Sequence, residues 1–212
     1  SLALSQSETF PYLYNVGDYN IKVFQGVFSP KYFSGWQVFR MFMPNVAGKS
    51  VLDVGTGTGL AAIDFFLGGA KQVLAVDISE EAVANAQENI WLNQCSRIEV
   101  RKGDVFSSIS NDERFDLIYW NFPFIQAPIH RPMSSSLEYA VFDPGSKLLE
   151  HFITDAPSFL KLGGKILLGW GHNADWATLR RICSQQRLEC ILLGEMTNAE
   201  MCFQLLQISK LE

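Results

Sequence analysis

The stretch SVLDVGTGTGLAAIDFFLGG, residues 50–69, decides how the rest of the chain is read. Ser50-Val51-Leu52-Asp53-Val54 is apolar and partly β-branched, which predicts a buried strand. Alternating glycines at 55, 57 and 59 end it at once. Leu60 to Leu67 reads as a helix, closed by Gly68-Gly69.

Working towards the C-terminus, the same rhythm repeats. Strands are expected over 72–76, 97–101, 114–120, 165–169, 188–193 and 201–208. Helices are expected over 80–92, with Ser79 as N-cap, over 146–160, kinked at Pro157, and over 174–186. Strands alternating with helices give an α/β fold, a doubly wound and mostly parallel sheet. The last two strands have too short a connection for a parallel crossover, so the final one should run antiparallel. Residues 121–144 read as a long loop punctuated by prolines. Towards the N-terminus, 34–43 reads as one amphipathic helix, 19–28 as a short strand pair or a clasp, and 1–18 shows no clear period. Two regions follow: 1–45, a clasp and helix placed to cover a substrate, and 46–212, the ligand-binding α/β domain.

The chain has 212 residues, 48% apolar and 18% charged, with net charge -5. This is a globular composition with room for one sizeable core. The acidic balance argues against a broad electrostatic grip on nucleic acid. Cys95, Cys183, Cys190 and Cys202 lack CxxC spacing, and His130, His151 and His172 lack metal-ligand spacing, so free thiols and no metal are expected. No run of about 18 apolar residues and no signal-peptide pattern is present, so the expectation is a cytoplasmic protein that does not touch membranes.

In a doubly wound sheet, ligands lie at the carboxyl ends of the strands. Three acids and an amide collect there: Asp53 with Gly55, Thr56, Gly57 and Gly59, then Asp77-Ile78, then Asp104-Val105, and Asn121. Gly57 to Ala62 also satisfies a dinucleotide-type G-x-G-x-x-A with Asp77 about 20 residues on. Asp53 argues against a dinucleotide, because a carboxylate beside the turn would repel a pyrophosphate. It suits a cationic ligand without phosphate, such as S-adenosylmethionine. Asp77 can accept from the ribose hydroxyls and Asp104 from the adenine amino group, with Ile78 and Val105 against the ring.

VLDVGTGTG, VLAVDIS and GDVF resemble the cofactor motifs of class I S-adenosylmethionine-dependent methyltransferases, over roughly residues 46–208. The resemblance implies a Rossmann-like sheet of seven strands with the last one reversed, and S-adenosylhomocysteine as product. Asn121-Phe122-Pro123-Phe124 resembles the Asn-Pro-Pro-aromatic signature of enzymes that methylate amide or exocyclic amino nitrogens, the HemK-like and methyltransferase small-domain families. Gly26-Val27-Phe28-Ser29-Pro30 is similar to the segment before the core of the small-domain family.

The chemistry agrees with that resemblance. An amide nitrogen is a poor nucleophile because its lone pair is delocalised. Acceptors that grip its N–H groups help more than a base does. Asn121 Oδ1 and the Phe122 carbonyl can be those acceptors, Pro123 stiffens the chain after them, and Phe124 can stack on the planar group. Phe122 stands where the family has Pro. The expected acceptor is a protein glutamine or an RNA base. Gln126, His130, Arg131 and Glu138 are the polar candidates for recognising it. Two further readings stay open: a small-molecule methyltransferase with His130 or Glu138 as general base, and a methyltransferase-like module without turnover.

Overall fold

The computed structural model describes residues 2–197 and 201–211. In chain order the elements are α1 (Leu2–Ser5), β1 (Tyr12–Asn15), β2 (Asn20–Val23), α2 (Gly35–Phe42), β3 (Ser50–Val54), α3 (Leu60–Leu67), β4 (Gln72–Asp77), α4 (Glu80–Leu92), β5 (Ile98–Lys102), β6 (Phe115–Asn121), β7 (Ile125–Ala127), β8 (Phe142–Pro144), α5 (Lys147–Asp155), β9 (Leu160–Gly171), α6 (Trp176–Gln185), β10 (Leu188–Thr197) and β11 (Cys202–Lys210). Seven strands make one sheet in the order β10-β11-β9-β6-β3-β4-β5. Its last strand, β11, runs antiparallel to both neighbours, as the short final connection requires. This is the α/β, doubly wound, mostly parallel sheet expected from the sequence.

The chain divides into two compact units: residues up to 34 with 45–109, and residues 35–44 with 110 onwards. In the first, β3, β4 and β5 pair in parallel. β3 is buried along its whole length, which is why its sequence is a continuous apolar run around one acid. Ser79 caps α4, its hydroxyl accepting from the Ala82 N–H. The N-terminal segment forms a two-stranded antiparallel hairpin, Tyr12↔Val23 to Asn15↔Asn20. Of the two readings, a strand pair is what forms, and its first strand lies in the stretch that showed no period.

The outer edge of β2 is held by side chains of α4. Asn89 Oδ1 accepts from the Lys22 N–H at 2.7 Å, and the amides of Asn85 and Asn89 both donate to the Lys22 carbonyl at 2.8 Å. Asn85 Oδ1 also accepts from the Phe24 N–H at 2.9 Å. Tyr19 donates to Asp64 of α3 at 2.7 Å.

In the second unit, β6 and β9 pair in parallel, and α2 lies on the β9–β11 face. Three glycines there admit aromatic rings: a Cβ on Gly169 would come within 2.7 Å of Phe39, on Gly171 within 2.4 Å of Phe124, and on Gly194 within 2.2 Å of Phe42. The 121–144 stretch is more ordered than a loop. β7 and β8 pair in parallel across it, and a 3-10 turn spans Ser136–Ala140. Helix α5 stops at Asp155 and tightens into a 3-10 turn over Ala156–Phe159, which places the Pro157 disturbance one residue early. β9 is twelve residues long, starting at Leu160 where a strand was expected only from 165, and Gly163-Gly164 lie inside it at a register shift between Phe115 and Leu117 of β6.

All four cysteines are free. Burial pushes the Cys183 thiol up to about 11 and Cys190 up to about 12, which keeps both unreactive. Among the described residues, no helix is long and apolar enough to cross a membrane, and no group of His, Cys, Asp and Glu could hold a metal ion.

Candidate active site

β3 delivers Asp53 into the interior of the first unit, 1% exposed. Its Oδ2 accepts from the Thr56 hydroxyl at 2.7 Å, and the Ala62 N–H also donates to the carboxylate. Burial dominates and raises its pKa to about 7, with the charge of Asp77 adding to the rise. A hydroxyl and one N–H oppose this; no cation does among the described residues. Such a carboxylate is costly to ionise in the free protein and is matched to a positive ligand group.

The turn after β3 is shaped by positive φ angles at Gly55, Gly57 and Gly59, 62°, 57° and 81°. At Gly57 this conformation turns the N–H towards β4, where it donates to Asp77 Oδ2 at 2.9 Å. Gly59 has a second constraint: a Cβ there would stand 3.2 Å from Ala86 of α4. The other Asp77 oxygen accepts from the Ser79 N–H at 3.0 Å. Burial raises the Asp77 pKa, against the pull of these backbone N–H groups. The Asp77 carbonyl accepts from the Gly103 N–H at 2.9 Å, tying the end of β4 to the turn after β5. Beyond it Asp104 is exposed, as is Ile78, so both offer free surface. Val105 is buried with φ 49°, a strained conformation for a β-branched residue.

Asp53, the glycine turn and Asp77 are thus brought into one bonded constellation, with Gly103 beside it. Reading the sequence missed what supports this constellation. Thr58, between two of the glycines, is buried, and its carbonyl accepts from the Asn89 amide at 2.8 Å. Two asparagines spaced i, i+4 inside a helix were the available signal, since asparagine is a poor interior helix former.

In the second unit, Asn121 ends β6 in register with Gly169 of β9 and is half-buried. The Phe122 N–H, which proline would lack, donates to the Gly169 carbonyl at 3.3 Å. The Phe122 ring is buried, edge-on to Trp120 at 5.1 Å and stacked against Trp170 at 5.7 Å. The departure from proline therefore fills the core and extends a ladder. Pro123 is buried, and Phe124 is half-buried with its ring laid on Gly171 and 6.3 Å from Phe203. Among the loop candidates, Arg131 pairs with Glu138 at 3.6 Å and lies 3.9 Å over the Phe142 ring. Glu138 also accepts from the Ser134 N–H at 2.8 Å. Gln126 bonds Asp175, the N-cap of α6. His130 is exposed.

A family model described as methyltransferase small domain matches residues 18–184. Over 76 residues the chain is 53% identical to the ribosomal protein L11 methyltransferase of Lactobacillus johnsonii, covering 36% of this chain and 24% of that one. Over 131 residues it is 35% identical to the release factor glutamine methyltransferase of Streptococcus pneumoniae, covering 58% and 46%. The chain spans less than half the length of either relative. The ribosomal protein L11 methylase of Lactobacillus delbrueckii subsp. bulgaricus superposes with TM-score 0.59 at 26% identity, covering 79% of this chain and 72% of that one. The T. thermophilus 16S rRNA N2 G1207 methyltransferase, solved with AdoMet and guanosine, shares the fold at TM-score 0.67 and 20% identity, covering 94% and 50%. With the matched region running through the glycine turn, both acids and the Asn121 segment, the chain belongs to the methyltransferase small domain family.

Proposed function

We propose that the protein is an S-adenosylmethionine-dependent methyltransferase acting on a planar amide or exocyclic amino nitrogen of a protein or RNA. The observation that carries this reading is Asp53: a buried carboxylate beside a glycine turn, held among the described residues by a hydroxyl and an N–H and by no cation. It fits the ammonium of an amino-acid-bearing cofactor. The Asp77 carboxylate, which accepts from the Gly57, Ser79 and Ile78 N–H groups, can offer its remaining acceptor capacity to a ribose diol. Gly55, Thr56, Gly57 and Gly59 shape the turn, and Ile78, Asp104 and Val105 supply the adenine end. S-adenosylmethionine, when bound, supplies an electrophilic methyl group.

The acceptor nitrogen gains that methyl and sheds one proton. Asn121 Oδ1 and the Phe122 carbonyl hold its N–H groups as positive charge develops, so they act on rate more than on binding. Pro123 fixes the chain that presents them, and Phe124 offers a ring face to the planar group. The likeness to enzymes named for protein L11 and for release factor glutamine supports a protein acceptor, in keeping with the acidic balance. Glu138 is engaged by Arg131 and Ser134, which disfavours it as a general base for a small molecule.

Calorimetric titration with S-adenosylmethionine and S-adenosylhomocysteine tests the cofactor half. Binding lost in Asp77→Ala supports the reading, and no binding by the native chain removes it. Transfer of labelled methyl to glutamine-containing peptides and to RNA tests the other half. Asn121→Ala should lower kcat about 100-fold.

A further inference from the structure

We propose that Asn89 is a positioning residue of the cofactor turn, and that through it the β1–β2 hairpin is part of the cofactor site. The inference rests on the cofactor reading above. Asn89 is fully buried, and its polar groups are all engaged. Its oxygen takes the Lys22 N–H at 2.7 Å. Its amide donates to two carbonyls, Lys22 on the hairpin and Thr58 in the turn, each at 2.8 Å. One side chain therefore reads β2 as a neighbouring strand would, and with a remaining N–H holds the peptide between Gly57 and Gly59.

The turn is fixed from two sides. Asp77 holds the Gly57 N–H on one, and Asn89 holds the Thr58 carbonyl on the other. Between glycines at φ 57° and 81° the Thr58 peptide has little intrinsic reason to keep its orientation. With the Asn89 amide removed, a buried carbonyl in the turn and both polar groups of Lys22 lose a partner, and reorienting the turn is the cheapest repair. Asn85 is the natural control. It is equally buried and holds the same Lys22 carbonyl, with its oxygen on Phe24, but has no bond to the turn.

The experiment compares the native chain, Asn89→Ala and Asn85→Ala by melting temperature, by titration with S-adenosylhomocysteine, and by hydrogen exchange at the Lys22 amide with and without that ligand. Both variants should lose comparable melting temperature. Asn89→Ala should weaken S-adenosylhomocysteine at least fivefold, while Asn85→Ala stays within twofold. In the native chain, saturating ligand should slow exchange at Lys22, and in Asn89→Ala it should not. Affinity unchanged in Asn89→Ala, or lowered equally in both variants, overturns the proposal. Should Asn89→Ala not fold, the native chain decides alone: Lys22 exchange indifferent to bound ligand overturns it. Failure of the native chain to bind the ligand at all is a different result, which removes the cofactor reading and this inference with it.

Discussion

Asp53 is a residue whose burial carries a cost in the free protein, a cost that the proposed cofactor would offset. Its carboxyl ionises near pH 7 in the folded chain and near 3.8 when unfolded. Between those values the unfolded state gives up its proton first, so stability falls as pH rises through that window. Asp53→Asn escapes this loss. It should be more stable than the native chain at pH 8, by on the order of a few kcal/mol, with the difference vanishing below pH 4; denaturant titrations at both pH values check it. The same variant should bind S-adenosylhomocysteine at least about tenfold more weakly, by calorimetry. Phe122 makes the opposite point. Its position within the signature was legible in the sequence, but its meaning was not, because Trp170, against which its ring stacks, comes from β9, far along the chain. Phe122→Ala should cost about 3–5 kcal/mol of unfolding free energy. Phe122→Pro, although it restores the family pattern, should also destabilise, by losing the ring and the bond to Gly169.

Helix α5 depends on one side chain outside it. Asp143 is buried at the middle of β8, and its two oxygens accept from the Leu148 and Leu149 N–H groups at 3.0 Å each. Asp143→Ala leaves the first turn of α5 without these acceptors and should cost about 2 kcal/mol, measured by chemical denaturation. At the end of β9, Gly171 is the seat on which Phe124 lies. Gly171→Ala should push that ring off its place and lower methyl transfer at least tenfold, with S-adenosylhomocysteine affinity unchanged; a rate assay beside calorimetry checks both. Elements bounded by glycines, a cap or a continuous apolar run were legible: β3, α3 and α4 have the boundaries their sequence patterns give. β7, β8 and the first hairpin strand were not. A three-residue parallel pair carries no periodicity, and β1, with alternating half-buried and exposed residues, lies in a two-stranded sheet with β2, so its sequence records no core.

For the molecule as a whole, the pH dependence of ligand binding should follow Asp53. The ammonium group of S-adenosylhomocysteine prefers the ionised carboxylate, so affinity for this ligand should fall as pH drops below about 7, by up to tenfold per unit. Titrations in buffers of different ionisation enthalpy should show proton release on binding near neutral pH. The mostly parallel sheet and its reversed last strand were legible because connection lengths and alternating elements constrain topology. The candidate site was legible as a set of acids and an amide at strand ends. What supports the set was less legible: the paired asparagines of α4 were the one local signal for Asn89, whereas Thr58 enters through its main-chain carbonyl and Gly171 through the room it leaves the Phe124 ring.

β10 closes one end of the sheet, ten residues long, with Ile191, Leu192 and Met196 exposed. An apolar border of that length invites a second chain to add itself, and so invites fibrillar aggregation. The register shift between Leu192 and Gly194, with the Phe42 ring seated on the glycine, interrupts the regular ladder of that border. A kink that looks like an accident of packing under α2 therefore also sets how concentrated the protein can be kept.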